Sequence, residues 1–243
     1  MRRLTLLFAL LAALPLAAAA QSFTPAQRQE IVGILREALR SDPSILRDAL
    51  EAVQNAEEMH RSEQARTAIA RNREALTRNP ADPVRGNPNG AITVVEFFDA
   101  RCPYCKRMPP VLAELLRRNR DVRIVVKDMP ILGPNSLLAS RALLAAQRQG
   151  KYHEYHDALL GTREDITEPV LQREAQKLGL DWARLRRDME DPGIRDRLAA
   201  NLALARELGI EGTPAFVIGN LLEPGAADLA RLEALLAEAR RGG

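Results

Sequence analysis

The eight residues Ala91-Ile92-Thr93-Val94-Val95-Glu96-Phe97-Phe98 are β-rich and mostly apolar, and they lead at once into Cys102-Pro103-Tyr104-Cys105. A short apolar run of this kind marks a strand buried on both faces, which needs helices packed above and below it. The residues that follow, Lys106 to Arg118, have helical periodicity. The chain therefore passes from buried strand to helix at the cysteine pair itself, and that junction limits the fold more than any other feature.

The remainder of the chain repeats the alternation. Val122 to Val126 is a second strand. Leu137 to Gln149, Glu168 to Leu178, Trp182 to Met189 and Ile194 to Leu208 have helical spacing, with Asp181 as a cap for the third. Thr213 to Ile218 returns to strand, and Ala227 to Arg240 is a closing amphipathic helix with Leu229, Leu232, Leu235 and Leu236 on one side. Strands alternating with helices imply an α/β sheet. The helical block, about 132–209, reads as an insertion between the second and third main strands. There is no internal repeat.

Before this domain lie three segments. Arg2 and Arg3 precede an apolar run, Leu4 to Leu16, broken only by Thr5, and Ala17 to Ala20 offers small residues for cleavage. This pattern predicts a signal peptide over 1–20 rather than an anchor, because the run is short and Pro15 sits near its end. Export of a bacterial chain would put it in the periplasm, where thiols meet oxidants. Loss of Arg2 and Arg3 takes the formal charge from +3 to +1, so the basic balance is no argument for a nucleic-acid partner. Residues 21–78 form a helical segment. Thr24-Pro25-Ala26-Gln27 is a capping box with proline at the first turn. Ile31, Val32, Ile34, Leu35, Ala38 and Leu39 line one face. From Pro43 to about Thr77 neither proline nor glycine intervenes, which predicts one helix of about 35 residues, roughly 50 Å long. Its face of Ile45, Leu46, Ala49, Leu50, Val53, Ala56 and Met59 needs a partner, either the main domain or copies of itself. Asn79 to Gly90 is dense in turn formers and reads as a linker to the domain at 91–243.

Cys102 and Cys105 are the only cysteines. A structural disulfide is more at home in a small secreted domain without a core. A structural zinc site needs four ligands. Here it would have to recruit two of His60, His153 and His156, or carboxylates, and His153 and His156 read as a local surface pair. Cu(I) can bind two thiolates alone, which leaves Cys102 and Cys105 open as a copper site, although five methionines and three scattered histidines form no copper box. The redox reading fits the junction better. Cys102 at a helix N-terminus faces unpaired N–H groups and the positive end of the dipole, which favour a thiolate, the nucleophile of disulfide exchange. Pro103 suits the first turn, and Cys105, one turn in, can resolve a mixed disulfide. Gly212-Thr213-Pro214 places a proline at the entry of a strand, which points to a special peptide geometry, cis among the options, beside the simpler reading of an ordinary turn. No cofactor is called for.

The pattern Val95-Glu96-Phe97-Phe98-Asp99 before Cys102-Pro103-Tyr104-Cys105, followed by a helical insertion and Thr213-Pro214, resembles the DsbA-type thioredoxin-fold disulfide oxidoreductases over about 88–243. With its N-terminal helices the chain resembles most the ScsC group, suppressor of copper sensitivity protein C. The resemblance implies a thioredoxin fold with an inserted helical domain, preceded by an α-helical oligomerisation segment. It implies a protein disulfide oxidoreductase or isomerase, with Cys102 attacking and Cys105 resolving. Pro214 would be a cis-proline facing the site, and Thr213 would contact Cys102 and the substrate backbone. Glu96 would be a buried acid that exchanges a proton with Cys105. The implied partners are disulfide-containing clients, a membrane thiol reductase or oxidase, and copies of this chain joined through 23–60, as a trimer in one arrangement. Tyr104 stands where DsbA proteins usually carry histidine, so a less extreme oxidant is expected. Threonine before the proline is closer to the isomerases. A monomeric oxidase and a Cu(I)-binding protein are the competing readings.

Overall fold

A computed structural model describes residues 23–241, so the signal segment expected over 1–20 lies outside the described residues. The chain divides into two compact units, one ending at Asn55 and the other beginning at Ala56.

The first unit holds helix α1 (Pro25–Ser41) and the start of α2 (Ser44–Arg71). The expected capping box forms: the Gln27 N–H donates to Thr24 Oγ1 at 3.3 Å, and the Thr24 N–H donates to Gln27 Oε1 at 2.9 Å. The Ser44 N–H donates to Asp42 Oδ1 at 3.0 Å and starts α2. Ile34, Leu35, Leu46, Leu50 and Val53 are all more than half exposed, and α1 buries none of its residues.

In the second unit the helix expected to run to Thr77 is broken. It ends at Arg71, and a short α3 (Arg73–Thr77) follows. The break falls at Asn72, which leaves helical geometry at φ −103°, ψ 13°. Its Nδ2 donates to Glu207 at 2.9 Å and to the Ala68 carbonyl at 3.1 Å, sharing that carbonyl with the Asn72 N–H. The stretch expected as linker contains a strand, β1 (Val84–Gly86). Then come β2 (Ile92–Phe98), a 3₁₀ turn (Cys105–Arg107), α4 (Met108–Arg118) and β3 (Val122–Asp128). The insertion consists of α5 (Pro134–Gln147), α6 (Tyr152–Gly161), α7 (Glu168–Lys177), α8 (Trp182–Met189) and α9 (Pro192–Glu207). Strands β4 (Ala215–Ile218) and β5 (Leu221–Pro224) and helix α10 (Leu229–Arg241) close the chain.

The five strands lie in the order β1-β3-β2-β4-β5. Strands β2 and β3 are parallel, with Ile92 opposite Val122 and Phe98 opposite Asp128. The other pairs, β1 with β3, β2 with β4 and β4 with β5, are antiparallel. Alternation along β2 sends side chains to both faces. Val94 and Phe98 enter one core with Leu112 and Leu115 of α4, Tyr155 and Leu159 of α6, and Leu232 and Leu236 of α10. Val95 and Phe97 enter the other with Ile69, Leu76, Leu204 and Ala205. Phe97 and Phe98 are fully buried, each contributing roughly 1.5–3 kcal/mol. Gly86, at φ +85°, passes so close to Leu116 and the Val122 carbonyl that a β-carbon would collide with both. Against expectation, His153 and His156 are not a surface pair. His156 is buried against Phe98 and Tyr152, and His153 is half-buried with Nε2 2.8 Å from the Val84 carbonyl oxygen.

Candidate active site

Strand β2 ends at Phe98, and the next six residues form the turn that presents the cysteines. The Cys102 N–H donates to the Asp99 carbonyl at 3.0 Å, and the Lys106 N–H donates to the Cys102 carbonyl at 3.1 Å. Cys102 therefore stands where the helical run begins, but that run opens as a 3₁₀ turn and becomes α-helix only at Met108. Both cysteines are free thiols. Cys102 keeps 5% of its surface open and Cys105 none. Pro103 and Tyr104 between them are exposed.

Strand β4 brings the second half of the site. The Thr213–Pro214 peptide bond is cis. Pro214 is buried at the entry to β4, and the Cys102 Sγ–H donates to the Thr213 carbonyl oxygen at 3.1 Å. The Cys105 thiol is pushed well up, first by burial and then by the charges of Cys102 and Glu96. Hydrogen bonds from the Asp99 backbone and the Thr213 side chain pull the other way. Accessibility and environment thus separate the two sulfurs: the outer one can reach a substrate, and the inner one is held as a thiol.

Glu96 is buried on the cysteine face of β2. Burial raises its carboxyl to about 7, opposed by the Arg85 charge and reinforced by that of Asp157. A carboxyl that titrates near neutrality suits proton exchange with a thiol. Asp128, on the same face of the neighbouring strand, is also raised to about 7 by burial, despite accepting a 2.8 Å hydrogen bond from the Tyr152 hydroxyl. Burial pushes the His156 imidazole down. The Asp157 carboxyl, which burial alone would raise, is held below its usual range by His156 and Arg85.

Three features escaped sequence reasoning. The Arg107 guanidinium lies 4.7 Å from the centre of the Tyr104 ring, so a cation does flank the dipeptide although histidine is absent. Lys106 Nζ donates to the Thr162 carbonyl at 2.8 Å, and Arg101 Nε donates to Asp165 at 2.8 Å, so the cysteine turn is tied to the helical insertion on both sides. Asp99 stood in the sequence only as the end of the pattern before the cysteines, with no sign of its bonds, and the group of Asp128, Tyr152 and His156 carries no local motif. The glutamate-to-cysteine spacing and the threonine–proline dipeptide were the signals that did point inward. Among the described residues, no group of three or more His, Cys, Asp or Glu side chains converges as a metal site, and no helix is long and apolar enough to cross a membrane.

The comparisons agree with this geometry. Residues 93–237 match the DsbA-like thioredoxin domain. A thioredoxin-like oxidoreductase from Silicibacter pomeroyi is 44% identical, with a TM-score of 0.69 over 70% of this chain and 98% of that one. Proteus mirabilis ScsC in a transitional conformation is 29% identical, with a TM-score of 0.67 over 91% of this chain and 99% of that one. The Na(+)/H(+) antiporter NhaA 3 of Salinispora tropica is 33% identical over 166 residues, 66% of this chain but only 26% of the antiporter. The chain thus spans about a quarter of the length of the curated relatives it matches. The match of residues 93–237, more than half the chain and including the cysteine turn and the insertion, shows that this chain belongs to the DsbA-like thioredoxin family.

Proposed function

We propose that this chain is an exported thiol–disulfide oxidoreductase that acts on protein disulfides in the periplasm, with isomerase or reductase character. The observation that carries the reading is the unequal pair: Cys102 at the surface edge, bonded to the Thr213 carbonyl beside Pro214, and Cys105 fully buried behind it. The Cys102 thiolate attacks one sulfur of a client disulfide, forming a mixed disulfide and releasing the other sulfur as a thiolate. Two resolutions follow. If Cys105, its proton passed to Glu96, attacks Cys102, the client leaves reduced and the enzyme holds a Cys102–Cys105 disulfide. If a second client thiol attacks instead, the client leaves with a rearranged bond and the enzyme returns to the dithiol. The first route requires a membrane thiol reductase to restore the dithiol. A membrane oxidase would instead favour disulfide donation.

The exposed apolar face of α1 and early α2 supports self-association through residues 23–60, as a trimer or another oligomer that gathers several dithiols around one client. Copper stress fits the same chemistry, because copper-driven oxidation creates wrong disulfides that a reshuffling enzyme repairs. The location rests on the charged and apolar pattern of residues 2–20. The deciding experiment is recovery of a scrambled disulfide protein in a glutathione buffer. The wild type is expected to restore activity and Cys102→Ala to leave the background rate. Equal recovery by Cys102→Ala would remove the basis of the proposal.

A further inference from the structure

Asp99 is fully buried, yet its carboxylate meets four donors from three segments. Oδ1 accepts from the Arg101 N–H at 2.8 Å, in the cysteine turn, and from the Ser136 hydroxyl at 2.8 Å, in the first turn of α5. Oδ2 accepts from the N–H groups of Ile131 at 2.9 Å and Leu132 at 3.0 Å, in the loop after β3. All four partners donate, and the two side-chain oxygens accept all four bonds. The backbone of the same residue holds the cysteine turn, its carbonyl accepting from the Cys102 N–H at 3.0 Å. Arg101 adds a return tie, its guanidinium donating to the Leu132 carbonyl.

We propose that Asp99 is a positioning residue that locks the dithiol turn and the Ile131–Leu132 loop into one rigid unit. Two consequences follow. The geometry that sets the balance between dithiol and disulfide is fixed through Asp99, because its carbonyl accepts from the Cys102 N–H while its carboxylate holds the neighbouring Arg101 N–H. The same carboxylate fixes the backbone of Ile131 and Leu132, whose side chains remain 38% and 41% exposed beside the turn that carries Cys102. An unfolded client segment crossing the turn would meet these two apolar side chains in a fixed place. The inference rests on the thiol–disulfide reading above.

The test compares wild type with Asp99→Asn, which keeps shape but replaces an oxygen acceptor with an NH₂ donor, and with Ser136→Ala, which removes one of the four bonds. Asp99→Asn is expected to change the equilibrium constant of the Cys102–Cys105 pair with glutathione at least fivefold. It is expected to slow reaction with a scrambled protein client more than reaction with a small aromatic disulfide, because only the client uses the pinned loop. Ser136→Ala is expected to change both by less. A folded Asp99→Asn within twofold of wild type on both readouts overturns the proposal. Should that variant fail to fold, hydrogen exchange of the wild type decides. The Arg101, Ile131 and Leu132 amides are expected to be protected at least a hundredfold over free peptide, and free-peptide rates overturn the proposal. If wild type fails to rearrange clients, the functional reading falls, while the glutathione equilibrium and the amide protection still test Asp99.

Discussion

The Cys102 Sγ lies 3.1 Å from the Thr213 carbonyl oxygen, although 111 positions separate the two residues in the chain. One sulfur is thereby turned toward strand β4 and the peptide before Pro214, and the other is left behind it without exposed surface. Reaction with a bulky alkylating agent is expected to label Cys102 first by more than tenfold, and mass spectrometry of the reduced protein reads the order directly. Cys105→Ala, which cannot resolve internally, is expected to accumulate a mixed disulfide with client through Cys102. Primary labelling at Cys105 would reverse the assignment of roles.

Thr213 acts through two different atoms. Its carbonyl receives the Cys102 thiol, and its side chain stabilises the Cys105 thiolate. Thr213→Val retains the carbonyl and the branched shape and removes only the hydroxyl. A hydrogen bond to a charged group contributes about 1.5–3 kcal/mol, so resolution by Cys105 is expected to slow by roughly ten- to hundredfold. The first attack by Cys102 is expected to stay within about threefold. Stopped-flow separation of the two steps tests this, and equal slowing of both would mean that the substitution acts on the fold instead.

The raised Glu96 carboxyl makes stability depend on pH with a definite sign. Its value is 4.5 ordinarily and about 7 in the folded protein. Below about pH 4.5 it is neutral in both states and costs nothing. Between 4.5 and 7 the unfolded chain ionises while the folded one keeps its proton, so stability falls as pH rises; above 7 the loss is complete. A shift of this size corresponds to roughly 3 kcal/mol. Asp128, raised from 3.8 to about 7, acts in the same direction. Chemical denaturation at pH 4.5 and pH 8 is expected to show a smaller difference for Glu96→Gln than for wild type. The same variant is expected to lose an inflection near pH 7 in the resolution rate and to slow that step by about a hundredfold. An unchanged rate profile would mean that Cys105 loses its proton by another path.

The parts of this site that were legible in the sequence are those whose meaning is local. A buried strand running into Cys102-Pro103-Tyr104-Cys105, a glutamate six residues earlier and a proline at a strand entry can each be read without knowing what they touch. Asp99 was visible only as part of a pattern, because its donors come from residues 101, 131, 132 and 136. Arg85, His156 and Asp157 were hidden for the same reason: 72 positions separate the arginine from its carboxylate partner. Strand β1 was missed because three residues among turn formers have no periodicity of their own and gain their order from pairing with β3. Helix α6 was legible only as a helix-like stretch around His153 and His156; the burial of Tyr152, Tyr155 and His156 on it was not, because it depends on packing against other elements.

Tyr104 provides a measurement of how much the middle dipeptide sets the redox balance. Its ring is exposed and carries the Arg107 guanidinium at 4.7 Å. The reduction potential of the wild-type pair is expected to lie some tens of millivolts below the strongly oxidising end near about −120 mV. Tyr104→His places a protonatable ring beside Cys102, favours the thiolate and so stabilises the dithiol form. The potential is expected to rise by roughly 30 mV or more, a tenfold change in the equilibrium constant. A wild-type value already near −120 mV would favour disulfide donation over reshuffling.

The N-terminal helices allow association and chemistry to be separated. Ile34, Leu35, Leu46 and Leu50 are exposed by 62%, 55%, 54% and 53% in the single chain. Burying one leucine fully contributes roughly 1.5–3 kcal/mol, so sharing a face of several such residues between copies favours association. A glutamate placed in that face must be desolvated when copies meet, which opposes association. Equilibrium sedimentation of the mature protein is expected to give a multiple of the single-chain mass, and the double variant Leu35→Glu, Leu46→Glu a single chain. Both substitutions lie outside the unit that holds the cysteines. The rate with a small disulfide is therefore expected to remain within about twofold of wild type, while recovery of a scrambled client falls at least several-fold, because one dithiol at a time then meets each client. A wild-type protein that sediments as a single chain at tens of micromolar would remove self-association from the proposal and leave the dithiol chemistry standing. A charged variant that dissociates yet reshuffles clients at full rate would show that one Cys102–Cys105 pair per encounter is enough.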